Sequence, residues 1–173
     1  YDFFGYIERK PLHGIRKAVS NKMIQSIFTA AQVTNMHTAD VTELFALRGT
    51  EKISYEKEGI KLTFLPYILK ALALCLKRHP YLNSTLEGDE IIFKKYCNIG
   101  VAVDSEDGLV VPVVKGADGK DIKTIAKEIE KLSMNVKTKK VNMMDLKGGT
   151  FTISNLGSVG VGFFTPIINY PES

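Results

Sequence analysis

The chain has 173 residues, of which 45% are hydrophobic and 24% charged, and its formal net charge is +4. That length suits one domain with its own core, and the composition is ordinary for a soluble globular protein. A charge excess this small, with no compact basic block, gives no ground for a nucleic-acid partner; it reads as a lysine-rich solvated surface, or more sharply as a field favouring an anionic ligand.

In chain order, the opening residues Tyr1-Asp2-Phe3-Phe4-Gly5 do not have the pattern of a signal peptide. Ile15, Val19, Met23 and Ile27 recur every four residues with Ala18 alongside, which predicts an amphipathic helix with Lys17 and Lys22 outward. Gln32 to Asp40 reads as extended. Asp40-Val41-Thr42-Glu43 has the spacing of a capping box in which Glu43 reaches back to the cap. The helix that follows turns Leu44 and Leu47 inward, and Gly49 weakens it by about 1 kcal/mol relative to alanine.

Leu62 to His79 is the most apolar helix, with Leu65, Ile68, Leu69, Leu72 and Leu76 in a broad stripe widened by Ala71 and Ala73. A helix apolar nearly all round is expected to be buried. Pro66 fits its first turn and Pro80 enforces its end. Pro66, Tyr67 and Lys70 break the run, so it is too short to span a membrane.

Ile91 to Lys95 and Asn98 to Asp104 alternate as strands, and Leu109 to Val114 is a continuous apolar strand. Ser105-Glu106-Asp107-Gly108 supplies the turn between the last two. Ile122, Ile125, Ile129 and Leu132 mark another amphipathic helix capped by Asp121. Asn142 to Leu146 is a short helical turn ended by Gly148 and Gly149. Thr150 to Ser154 is a strand with Phe151 and Ile153 on one face and Thr150, Thr152 and Ser154 on the other. Mixed helices and strands give an α/β (α+β) sandwich. With neither an internal repeat nor a low-complexity linker, one domain is expected over 1–173.

The generic search for chemistry finds little. Cys75 and Cys97 form no C-x-x-C and read as buried reduced thiols. His13 precedes a helix, His37 lies in the extended segment and His79 ends a helix before Pro80, so each reads as structural. No pair of histidines has metal-ligand spacing, which leaves no metal site to expect, and there is no G-x-S-x-G elbow. Gly157-Ser158-Val159-Gly160-Val161-Gly162 lacks the helix and downstream acid of a dinucleotide fingerprint and reads as a tight turn. Ser154-Asn155-Leu156-Gly157 admits two readings: a strand end presenting a hydroxyl and an amide to an acyl-transfer oxyanion, or a turn that caps itself through Ser154 and Asn155.

Seven blocks carry a resemblance. They are Pro11 to Ala18, Asp40 to Leu44, Gly59 to Pro66, Asn98 to Asp104, Gly108 to Val113, Gly149 to Gly157 and Phe164 to Glu172. In this order, over nearly the whole chain, they closely resemble the catalytic domain of dihydrolipoyl acyltransferases, the core components of 2-oxo acid dehydrogenase complexes. The resemblance implies a chloramphenicol-acetyltransferase-like fold with helices packed on a mixed β-sheet. It implies acyl transfer between dihydrolipoamide and coenzyme A, both carriers supplying their own thiols, with no metal.

It further implies trimers assembling into a larger hollow core. The partners are then the complex's other subunits and the lipoyl domain, with no membrane or nucleic acid. The setting is a prokaryotic cytoplasm or the mitochondrial matrix. By the same resemblance Ser154 stabilises the oxyanion, and Arg48, Thr63, Asp104, Ser154 and Asn155 belong to the coenzyme A site.

Two departures stand out. The family's His-x-x-x-Asp-Gly motif is expected beyond Glu172, and none of the three histidines here begins it. His37 stands where relatives usually carry an acid, and Gln32 where many carry histidine. With no lipoyl or peripheral-subunit-binding domain in view, the expectation is a catalytic domain incomplete at its C-terminus and inactive as it stands. The alternatives are a non-catalytic core subunit and a stand-alone acetyltransferase of the chloramphenicol type.

Overall fold

The computed structural model describes residues 3–106, 108–157 and 160–172. Among the described residues, four α-helices run over Gly14–Thr29 (α1), Thr42–Lys57 (α2), Leu65–Arg78 (α3) and Ile122–Lys137 (α4). The strands among the described residues span Ser84–Glu87 (β1), Glu90–Phe93 (β2), Ile99–Val101 (β3), Val103–Ser105 (β4), Gly108–Val110 (β5), Val113–Val114 (β6) and Phe151–Ile153 (β7). This is the α/β class expected. The strands pair as β1-β2, β6-β3-β7 and β4-β5, with β3 parallel to β7 and every other pair antiparallel.

The core lies on one face of the three-stranded sheet. Ile99 and Val101 point the same way at a period of two and meet Leu69, Ala73 and Leu76 of α3, Ile125 and Leu132 of α4, and Val114 of β6. Phe151 and Ile153 join from β7. Burying each large aliphatic side chain stabilises the fold by roughly 1.5–3 kcal/mol. The Asp121 side chain caps α4 as expected, accepting from the Thr124 amide at 2.7 Å. Asn142 likewise accepts from the Met144 amide ahead of the short turn Met143–Leu146.

The opposite face of this sheet is crowded. Gly100 pairs with Thr152, and a Cβ at Gly100 would stand 2.7 Å from both the Thr152 hydroxyl oxygen and a Val111 methyl. Only glycine fits between the two strands' side chains there. The 168–172 stretch lies over this face, with the Glu172 carboxylate hydrogen-bonded to Thr152.

Several expectations need correction. The single strands read over 98–104 and 109–114 are each two, broken at Ala102 and at Val111-Pro112. Pro112 has no N–H to give the ladder, so the chain leaves the core sheet and returns through the β4-β5 hairpin. That hairpin closes where Ser105 pairs with Gly108; Asp107 of the expected turn lies outside the described residues. Strand β1 was not foreseen, although Gly88-Asp89 between apolar runs is a two-residue hairpin signal.

The capping box does not form as drawn. Asp40 accepts from the amide and hydroxyl of Thr42 at 2.9 and 2.6 Å, a local turn that leaves Glu43 inside the first turn of α2. Helix α3 is buried on one side only, through Pro66, Tyr67, Leu69, Ala73 and Leu76. Ile68, Ala71, Leu74 and Cys75 are exposed, so the expectation of a buried Cys75 fails, while Cys97 is buried. The apolar stripe of α1 is also exposed in this chain; the one buried residue of that helix is Ser26, whose hydroxyl donates to the Ile168 carbonyl at 2.6 Å.

Candidate functional site

The site is built around the end of β7. Its core-facing residues Phe151 and Ile153 hold the strand down, so Ser154, the first residue past it, emerges half-buried at its rim. Among the described residues the Ser154 hydroxyl has no hydrogen-bond partner. Asn155 is exposed, and its side-chain oxygen accepts from the Gly157 amide at 3.0 Å. The self-capping turn therefore exists but runs through Asn155 alone, which leaves Ser154 out of it. Ser158 and Val159 of the glycine-rich stretch lie outside the described residues.

Asn155 opens onto a cleft of about 440 Å³ between the start of α3 and the last turns of α4. Thr63 lines the same cleft, with Phe64, Leu65 and Pro66 making its floor and Lys61, Lys137 and Glu130 its charged rim. Two site residues separated by 92 positions in sequence thus meet at one opening. The two lysines against one glutamate favour an anionic guest.

Arg48 stands behind this wall, not in it. The residue is half-buried on α2; its Nε donates to the Leu62 carbonyl at 3.0 Å and its guanidinium lies 4.9 Å from the centre of the Phe64 ring. Phe45 stacks on the same ring at 6.0 Å. Arg48 therefore braces the residues on both sides of Thr63, which rules out a freely solvated helical arginine. Asp104 sits exposed on β4 opposite Leu109 and does not line the cleft. The structure thus joins Thr63 and Asn155 at one cleft, with Ser154 next to Asn155 in the chain, supports the Thr63 side with Arg48, and leaves Asp104 apart.

None of the three histidines reaches the cleft. His13 precedes α1, His79 ends α3, and His37 is exposed in the irregular stretch between α1 and α2. Gln32 is a structural tie: its amide nitrogen donates to Ser26 at 3.2 Å and its oxygen accepts from the Ile168 amide at 3.4 Å.

Sequence reasoning missed Lys61, Lys137 and Glu172. Lys61 sat unnoticed inside the Gly59 to Pro66 block, and Lys137 opens a Lys-Thr-Lys-Lys run at the end of α4. Glu172 carried no local signal. Burial pushes its carboxyl above the ordinary carboxylate range, opposed by its hydrogen bond from Thr152, by Lys22, by Asn169 and by Lys94.

A second, more apolar hollow of about 550 Å³ lies elsewhere, between Ile15, Val19 and Met23 of α1, Leu109 of β5 and Val136 of α4. None of the candidate residues lines it.

Comparison with known proteins gives consistent relatives. The family described as 2-oxoacid dehydrogenases acyltransferase (catalytic domain) matches residues 5–173. The dihydrolipoyllysine-residue acetyltransferase component of the pyruvate dehydrogenase complex of Bacillus subtilis is 46% identical over 166 residues, covering 95% of this chain and 38% of that protein. The chain therefore spans under two-fifths of that relative's length.

Among solved structures, one concerns the roles of a serine, a histidine and an asparagine in the catalytic mechanism of Azotobacter vinelandii dihydrolipoamide acetyltransferase. It superposes with a TM-score of 0.94 at 42% identity, covering 98% of this chain and 70% of the other. Another, the cubic core of a pyruvate dehydrogenase multienzyme complex, has a TM-score of 0.94 at 41% identity with the same coverage.

Proposed function

This chain belongs to the family of 2-oxo acid dehydrogenase acyltransferase catalytic domains, and from that premise we propose that it transfers an acyl group between dihydrolipoamide and coenzyme A. Acetyl is the preferred group, because the relatives are acetyltransferases of pyruvate dehydrogenase complexes. The observation that carries the reading is the meeting of Thr63 and Asn155 at a lysine-rimmed cleft directly beside Ser154. Lys61 and Lys137 suit the phosphates of coenzyme A, and Phe64, Leu65 and Pro66 offer apolar surface to its uncharged arm.

In the reaction the thiolate of one carrier attacks the thioester carbonyl of the other. A carbon–sulfur bond forms, the carbonyl oxygen becomes an oxyanion, and the old carbon–sulfur bond breaks as that oxygen reforms the carbonyl. Ser154 donates to the oxyanion from the end of β7, where it is spared other hydrogen bonds within the described chain. Arg48 acts through the Leu62–Phe64 segment as well as through its charge, and Asp104 serves the cofactor only at a point away from this cleft.

Assembly follows the same reading. The exposed stripe of α1 and the exposed Phe163, Phe164 and Ile167 are large apolar surfaces for one chain. Trimers within a larger core, joined by lipoyl domains and the other subunits of the complex, would cover them. The bacterial relatives favour a bacterial cytoplasm over the mitochondrial matrix. We also assign residues 1–173 to one catalytic domain that depends on a base supplied from outside these residues.

Calorimetric titration with coenzyme A tests the cleft. Arg48→Ala should weaken binding about tenfold at low salt, as the Leu62–Phe64 segment loses its brace and the cleft loses a nearby positive charge. The part of that loss due to charge should shrink as salt rises. Equal binding by both proteins at low salt would leave Arg48 a purely structural brace and remove it from the site.

A further inference from the structure

The Glu172 carboxylate bonds two residues at once, Thr152 on β7 and Asn169 three positions back. One carboxylate oxygen accepts from the Thr152 hydroxyl on β7, and the other accepts from the Asn169 amide at 2.8 Å. That second oxygen occupies the space where Gly149 lacks a Cβ, just ahead of β7. The backbone beside it is fixed as well: the Glu172 amide donates to the Asn169 carbonyl at 3.1 Å, and Thr85 donates to the Pro171 carbonyl at 2.9 Å. Lys94 donates in turn to Thr85 at 2.5 Å. Charged groups reach this carboxylate from two elements, Lys22 of α1 and Lys94 after β2.

The connection to chemistry is the strand itself. Thr152 lies in the middle of β7, two residues before Ser154, which is the first residue past the strand. Its core face is held by Phe151 and Ile153, and its other face is held by Glu172. We propose that Glu172 is a positioning residue: acting through Thr152 as a double acceptor, it sets where the end of β7 presents Ser154 and Asn155 to the cleft. This inference rests on the acyltransferase reading for its effect on rate, although not for its effect on the strand.

A positioning role differs from a stabilising one in sign. A carboxyl whose pKa is raised on folding favours the folded state most at low pH, and that contribution is lost as pH rises through the raised value. Above that raised value the ionised Glu172 is thus a cost to stability, which the neutral isostere Glu172→Gln relieves. Yet the glutamine has one acceptor where the carboxylate has two.

In the full-length protein, Glu172→Gln should keep or raise Tm while kcat falls roughly 10- to 100-fold, as for a misplaced catalytic group. The KM for coenzyme A should stay within about twofold. Thr152→Val should lose a similar factor and Thr152→Ser should retain the rate. The double variant Glu172→Gln, Thr152→Val should be no slower than the slower single one, since both break one link. The kcat profile of the native protein should carry an acid limb above the ordinary glutamate range that Glu172→Gln lacks.

Amide hydrogen exchange over 151–155, independent of activity, should quicken in Glu172→Gln. Wild-type kcat in that variant, multiplicative losses in the double variant, or unchanged exchange would each overturn the proposal. If the native protein transfers no acyl group, the acyltransferase reading fails while the exchange result still decides whether Glu172 holds the strand.

Discussion

Ser154→Ala in the full-length protein is expected to slow acyl transfer by roughly 10²–10³-fold, about 2.7–4 kcal/mol in the barrier, the usual cost of deleting one oxyanion donor. The loss should fall on kcat with little change in KM, because the hydroxyl meets charge that exists only in the transition state. Stability should scarcely move. Ser154 is half-buried, and its hydroxyl has no partner among the described residues, so removing it orphans no protein donor or acceptor there. Stopped-flow transfer kinetics and a thermal melt check both halves. Native turnover in the variant would return Ser154 to the role of a turn residue.

On the proposed acyl-transfer reading, a polypeptide limited to residues 1–173 is expected to transfer acyl groups roughly 10²–10⁴-fold more slowly than the full-length protein, the typical contribution of a positioned general base. A thiol near pKa 8.5 is only a few per cent ionised at neutral pH, so the attacking sulfur needs something to take its proton. None of His13, His37 and His79 lines the cleft. Replacing all three with glutamine in the full-length protein should therefore leave kcat little changed. A large loss on replacing His37 alone would show that the 30–41 stretch folds over the cleft and that the base lies within this chain.

What could be read in advance followed the reach of the interactions involved. Helix α4 was legible because its cap and apolar stripe are local: Asp121 bonds three residues on, and Ile125, Ile129 and Leu132 repeat at helical spacing. Strand β7 was legible to its faces, since alternation alone puts Phe151 and Ile153 opposite Thr152. Burial was the weaker inference. The stripe of α1 has helical period, but period says only that one face is apolar; within this chain that face is exposed. Leu74 and Cys75 show the same limit on α3.

For the site, motif blocks supplied Thr63, Ser154 and Asn155, and the fold brought Thr63 and Asn155 to one cleft. Glu172 was invisible because its meaning is tertiary: the feature that matters is Gly149's missing side chain, 23 positions earlier, making room for its carboxylate. Lys61 and Lys137 looked like ordinary solvated lysines until α3 and α4 set them on one rim.

The central claim is transfer between two thiols, and it is tested most directly by following acetyl-coenzyme A formation from S-acetyl-dihydrolipoamide and coenzyme A, with chloramphenicol offered as a rival acceptor. The account predicts saturable acetyl-coenzyme A formation by the full-length protein and no acetylation of chloramphenicol. No transfer to coenzyme A from acetyl, succinyl or branched-chain donors, or acetylation of chloramphenicol at a comparable rate, would contradict it.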